Sequence, residues 1–208
     1  MLTVRVDSSL IPGVNAPIPL DALLSAVEPV LGASGRIVTA LRINGVEEPA
    51  FREADVLARI LGDDDYIDVD TTPIALMAVT ALDQALHFMP TLSAGAREVA
   101  GELRGPRAEA VRPAIGTLAE NLALLTALVH TADLWARQAG LAATDWLGDD
   151  VTAVEHVASS LVDASGAGDW VKAADALEYD LPEALAAWQA RLTSGRLDVL
   201  ALDTAPTA

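Results

Sequence analysis

The apolar pattern of this chain changes period once, at Thr71-Thr72-Pro73. Before that point, short apolar runs alternate with polar residues and are broken by Gly, Pro and Asn. After it, apolar residues recur at intervals of three and four. Alternation lines one face of a strand, and a period near 3.6 lines one face of a helix. A single switch predicts an α+β protein in two parts. The expected domains are 1–71 with strands, 72–198 as helices, and 199–208 as a loosely held tail. With 208 residues, each part is long enough to bury a core without disulfides or metals.

In the first part, LTVRV (2–6) reads as a half-buried strand, and SSLIPGVNAPIP as a loop with room for a second short strand. Leu20, Leu23, Leu24, Val27 and Leu31 fall at helical spacing, with Pro29 and Gly32 predicting an early end. RIVTALRI (36–43) alternates again, which puts Ile37, Thr39, Leu41 and Ile43 on one face. Asn44-Gly45 then supplies two residues tolerant of positive φ, as a type I′ hairpin requires. FREADVLARIL (51–61) reads as a short helix and DYIDVD (65–70) as a last strand, Ile67 and Val69 inward.

This order of elements resembles a ubiquitin-like β-grasp domain, best over LRINGVEE, FREADVLARIL and DYIDVD. The resemblance implies that the last strand lies between the first strand and the strand before the hairpin. Arg5 and Arg42 would then flank Asp68 in a cross-strand charge row. The conjugation chemistry of ubiquitin-like modifiers is not implied, because the last strand runs into Thr71-Thr72-Pro73 rather than a diglycine tail. The exposed isoleucine-centred patch of ubiquitin is likewise replaced by Arg42, Asp68 and Asp70.

The second part predicts an antiparallel bundle of four or five helices. The first is expected from Thr72 to Met89, stopped by Pro90, and a short one from a Ser93 cap to Arg104. A long helix should run from Arg107 to Gln138, buried along Leu118, Leu122, Leu125, Leu128 or Val129, and Ala132. Asp149 or Asp150 should cap the next, which GAG (166–168) ends. Asp169 should cap the last, which Pro182 should kink or split, leaving Asp180 as a cap. The DWVKAADALEYDLPEALAAW segment, within this arrangement, is similar to uncharacterised bacterial proteins, and no activity comes with that resemblance.

Composition narrows the function. Net charge is −17, which argues against nucleic acid and against anionic membrane surfaces. The apolar runs 73–82 and 122–129 are too short in themselves to span a bilayer. There is no cysteine, which removes thiolate zinc sites and cysteine nucleophiles and fits a cytoplasmic protein. The N-terminus has no basic region followed by an apolar run, so no signal peptide is expected. An apolar fraction of 52% beside so much charge predicts either tightly packed helices or an extra apolar face for a partner.

Candidate sites are few. GDDDYIDVD (62–70) is rich in aspartate but lacks the glycine and terminal glutamate of a calcium loop, so a solvated loop is expected. Asp83 with His87, and His130 with Asp133, share helical faces, while Glu155 and His156 are adjacent and point apart. Partly buried, hydrogen-bonded histidines without metal or cofactor are expected. Neither a nucleophile elbow nor a phosphate-binding glycine loop is present. Trp135, Trp146, Trp170 and Trp188 all lie in the helical part, as core packing or as interface anchors.

The expectation is therefore a non-catalytic protein–protein interaction module: an adaptor, scaffold or acidic chaperone-like protein. It would bind a protein partner or itself as a homodimer. The competing expectation is a small enzyme or a ligand or metal sensor, with a bundle pocket around His87, His130, Asp83 and Asp133.

Overall fold

A computed structural model describes residues 2–106, 108–141 and 144–203. The protein is α+β, and the chain divides into two compact units, 1–74 and 75–208.

The first unit opens with β1 (Thr3–Val6) and β2 (Ser9–Ile11). They are joined by Asp7 and Ser8, both at positive φ, in a two-residue turn whose twist matches the strands. Then come β3 (Ile18–Pro19), α1 (Leu20–Ala33), β4 (Arg36–Ile43), β5 (Val46–Glu47), α2 (Ala54–Leu57), β6 (Ile60–Leu61) and β7 (Tyr66–Pro73). Five strands form one sheet in the order β2-β1-β7-β4-β5, with β1 parallel to β7 and the other pairs antiparallel. Strands β3 and β6 make a separate two-stranded ladder. Leu20, Leu23, Leu24 and Leu31 of α1 share a core with Val4, Val6, Leu41, Ile43, Ile67 and Val69 of the sheet.

Three local expectations are corrected here. Pro29 lies within α1, which continues to Ala33. The helix predicted over 51–61 shrinks to four residues, because Ile60 and Leu61 turn out to pair with β3. In β4 the alternation breaks at Thr39, where the register against β7 shifts between Val38 and Ala40. A bulge adds one residue and reverses the parity of side chains. Val38, Leu41 and Ile43 are therefore the buried set, and Thr39 is exposed, its hydroxyl 3.0 Å from that of Thr72.

The second unit is helical: α3 (Ile74–Leu103, whose first residue closes the first unit), α4 (Arg112–Gln138), α5 (Asp149–Ala167), α6 (Trp170–Asp175) and α7 (Leu181–Asp203). A 3₁₀ turn over Ala108–Val111 leads into α4, and a π turn over Ala176–Asp180 joins α6 to α7. Arg107 lies outside the described residues.

Pro90 does not stop the first helix. The buried seam Ala78, Leu82, Ala85, Met89, Leu92, Ala96, Ala100 and Leu103 runs straight past it. Proline inside a helix costs about 3 kcal/mol. Burying Met89 and Leu92 on either side returns about 1.5–3 kcal/mol each, so packing prevails over the local rule. Pro182 behaves similarly: the chain stays helical and widens into the π turn just before it, so Asp180 is not a cap. Gly148, rather than Asp149 or Asp150, is the N-cap of α5, while Asp169 caps α6 by accepting from the Lys172 N–H at 3.1 Å. The C-terminal helix extends to Asp203 with Val199 fully buried, so residues 199–203 are helix rather than tail; 204–208 lie outside the described residues.

Asp83 of α3 pairs with Arg196 of α7, and Arg104 of α3 pairs with Asp175 of α6 and Glu178 of the π turn. The low number meets the high one at each end, so α3 runs opposite to α6 and α7.

Candidate functional site

The outer sheet face of the first unit carries the expected row. Arg5 and Arg42 sit in register on either side of Asp68. The side chains connect differently from a simple triad. Arg42 reaches Asp70 at 2.8 Å, and Arg5 donates to the Tyr66 hydroxyl at 2.8 Å, which donates to Asp68 at 2.7 Å. The bond to Asp68 raises the pKa of the Tyr66 hydroxyl above its ordinary value, with desolvation adding to it.

Beside this row, Asp7 accepts from the Thr71 N–H at 2.8 Å and the Thr71 hydroxyl at 2.6 Å, and Arg36 lies 3.1 Å from it. Burial raises the Asp7 pKa, but the Thr71 bonds and Arg36 together outweigh it and hold the carboxyl below its ordinary range. The aspartate-rich loop has a structural use. Asp65 accepts from the Gly62 N–H and from the Asn44 carboxamide, each at 2.7 Å, while Asn44 accepts from the Tyr66 N–H at 2.8 Å. The Gly62 bond, then the Asn44 bond, lower the Asp65 pKa. The loop thus clamps the hairpin, in which Asn44 and Gly45 have φ of 55° and 80°. An apolar groove of about 470 Å³ lies between β2, the loop after it and α1, lined by Ile11, Val14, Ile18, Ala26, Val27 and Val30 among others.

In the helical unit the residues of the expected pocket do not converge. His87 and His130 are exposed rather than partly buried, as is His156. Asp83 is exposed and engaged by Arg196 at 2.5 Å. Asp133 is buried and held by Arg137 at 2.9 Å, one turn along α4. Helical spacing put His130 and Asp133 on neighbouring positions, but the packing boundary of α4 passes between them. Among the described residues no group of three or more His, Asp or Glu could hold a metal ion.

The tryptophans divide. Trp146 and Trp188 are buried inside the unit, which corrects their reading as contact anchors. Trp135 and Trp170 are half-buried against the core. The Trp188 indole N–H donates to the Trp146 carbonyl at 2.7 Å, and Arg191 bonds both Asp145 and Asp150. Trp146 lies against Gly195 of α7. A Cβ at Gly195 would overlap the indole Nε1, Cε2 and Cδ1. The buried stripe of α7 runs Leu181, Leu185, Trp188, Leu192 and Val199. Gly195 occupies the stripe position between the last two, so the Trp146 ring fills the place of the missing side chain. Sequence reasoning missed this latch. The available signal was a glycine on an apolar stripe together with a tryptophan in a loop.

In addition to the groove of the first unit, the helical unit offers another molecule the outer face of α4. Helix α4 buries Ile115, Leu118, Leu122, Leu125, Val129, Ala132 and Ala136. On its other side Ala123, Leu124, Ala127, His130, Thr131 and Leu134 are exposed in succession, with Leu124 and Leu134 each 53% exposed. No Asp, Glu, Lys or Arg interrupts the exposed positions between Glu120 and Arg137. With the 3₁₀ turn included, Ala108–Gln138 is long and apolar enough to cross a membrane by length and composition, a length that the run 122–129 alone did not reach.

No family model, curated protein or solved structure matches the chain.

Proposed function

We propose that the protein is a non-catalytic protein–protein interaction module, with a β-grasp first unit and an antiparallel bundle of four or five helices as its second. The β-grasp reading is supported by the strand order and the parallel pairing of first and last strands. The bundle reading is supported by the opposed course of α3 against α6 and α7.

The observation that carries the interaction reading is the uncharged outer face of α4 on a chain of net charge −17. Water solvates charged side chains well and apolar ones poorly, so an exposed stripe with two leucines and no formal charge is most stable when covered. A bilayer is a poorer cover than a protein. Glu120, Asn121, His130 and Asp133 lie within the helix, and its Leu118–Val129 stripe is already used inside its own unit.

A photo-activatable amino acid at Leu124, introduced in host cells, tests the reading. Covalent adducts with protein, whether with this chain or another, are expected. No protein adduct, or adducts with lipid alone, would overturn it.

A further inference from the structure

We propose that the outer face of α4 pairs with the same face of a second copy, the two helices antiparallel and crossing at the level of Val129; this rests on the interaction reading above. The exposed positions Thr117, Glu120, Leu124, Ala127, Thr131, Leu134 and Gln138 follow spacings of three and four throughout. That is the spacing of a heptad seam, with Thr117, Leu124, Thr131 and Gln138 in one class and Glu120, Ala127 and Leu134 in the other, and with Leu124, Ala127 and Leu134 as its apolar positions. Antiparallel helices pack one class against the other. One register places Leu124 against Leu134 of the second copy, and Ala127 against Thr131.

Three features of the chain fit that register together. The only two leucines of the seam meet each other, once on each side of the crossing. The layers between them hold small side chains, which lets the helices approach closely. Glu120 arrives beside Gln138 and Arg137 of the second copy. Arg137 is a cation about half exposed (53%) even while it holds Asp133. Each contact occurs twice because the face is self-complementary, which a twofold dimer requires. A parallel pair would instead set Glu120 against Glu120 and leave both arginines without an acid across the seam. Trp135 flanks the seam and is half-buried already, so a second copy would complete its burial. A two-helix seam of this length lies at the low end of specific interfaces, and a reversible dimer forming at about 100 µM is expected.

The purified full chain in sedimentation equilibrium gives the first readout. Wild type should reach a dimer, and Glu120→Arg should weaken it about tenfold, since it sets cation against cation. This variant also makes each chain two charges less negative. General charge repulsion therefore predicts the opposite sign, and stronger association by Glu120→Arg would overturn the register.

The second readout uses the absence of native cysteine. Leu124→Cys and Leu134→Cys chains, mixed and oxidised, should cross-link to each other. Each alone should not, because two copies of residue 124 would stand ten residues, about 15 Å, apart along the axis, well beyond disulfide reach. Self-linking of Leu124→Cys would overturn the antiparallel pairing. A wild-type chain that stays monomeric at about 300 µM, roughly three times the expected constant and enough to put most chains in dimers, would overturn self-association. Protein adducts from Leu124 in cells would in that case still uphold the interaction reading. Uptake of the purified chain by phosphatidylcholine vesicles, abolished by Leu124→Glu with Leu134→Glu, would overturn both.

Discussion

A single missing side chain organises the C-terminal helix. Gly195 stands where the α7 stripe calls for an apolar residue, and the Trp146 indole fills that position. Gly195→Ala should therefore destabilise, although alanine is the better helix former by about 0.5–1 kcal/mol. The added methyl and the ring cannot both be accommodated, and overpacking of this kind costs about 1–3 kcal/mol. The expected signs are a lower melting temperature and a red-shifted tryptophan emission. A double-mutant cycle isolates the cause: once Trp146→Ala has emptied the notch, Gly195→Ala should turn neutral or stabilising. Equal destabilisation in both backgrounds would refute the latch. Asp7 makes a second prediction at this scale. Its folded pKa lies below the ordinary 3.8 because its bonds to Thr71 and Arg36 outweigh burial. Between the folded and unfolded values the unfolded chain binds more protons, so stability rises with pH across that window. The contribution is complete above about pH 4 and is lost as pH falls through the folded value. Asp7→Asn should be less stable than wild type at pH 7, and the difference should shrink by pH 2. Hydrogen exchange of the β7 amides at the two pH values would measure it; an unchanged difference would sever Asp7 from the acid sensitivity.

Elements show where local rules bind and where packing overrides them. Asn44-Gly45 was legible in the sequence because a two-residue hairpin needs positive φ at both positions and few residues supply it. The register of Arg5 and Arg42 about Asp68 was anticipated too, because the strand order that the ubiquitin-like resemblance implies, combined with alternation, fixes which residues oppose. The Thr39 bulge was not, since a bulge in β4 is set by the pairing with β7, some thirty residues away. Histidine exposure was misjudged because helical spacing shows which residues share a face but not which face is covered. The Trp146 latch depends on a loop docking onto a helix, for which periodicity carries no signal. Pro90 is the clearest conflict. Locally it ends a helix, yet the seam from Ala78 to Leu103 holds the helix continuous. If packing alone carries the helix past it, Pro90→Ala restores a backbone donor and removes a ring clash without touching the core, because Pro90 is exposed. The expected gain is about 1–3 kcal/mol in urea unfolding, up to the full helix penalty of proline. No gain, or a loss, would mean that the proline ring itself helps to seat Met89 and Leu92.

At the scale of the whole molecule, two forces of different range oppose each other. A net charge of −17 on each copy repels over distance, and that repulsion is screened beyond about 10 Å at 0.1 M salt. The α4 seam acts only in contact, at about 25 cal/mol per Å² of apolar surface removed from water, and salt does not screen it. Added salt also weakens the two Glu120–Arg137 contacts, but exposed ion pairs are worth about 0–1 kcal/mol each. Repulsion between two strongly acidic chains is the larger electrostatic quantity, so its removal should decide the sign. Association is therefore expected to strengthen as sodium chloride rises from about 0.05 to 0.5 M, over which the screening length falls from above 10 Å to a few ångströms. Sedimentation equilibrium across that series measures it directly. A dimer that weakens with salt would be held by charge rather than by the apolar seam. The contact would then belong on a face where acidic and basic side chains alternate, such as the Arg42–Asp70 side of the sheet, and α4 would be excluded as its surface.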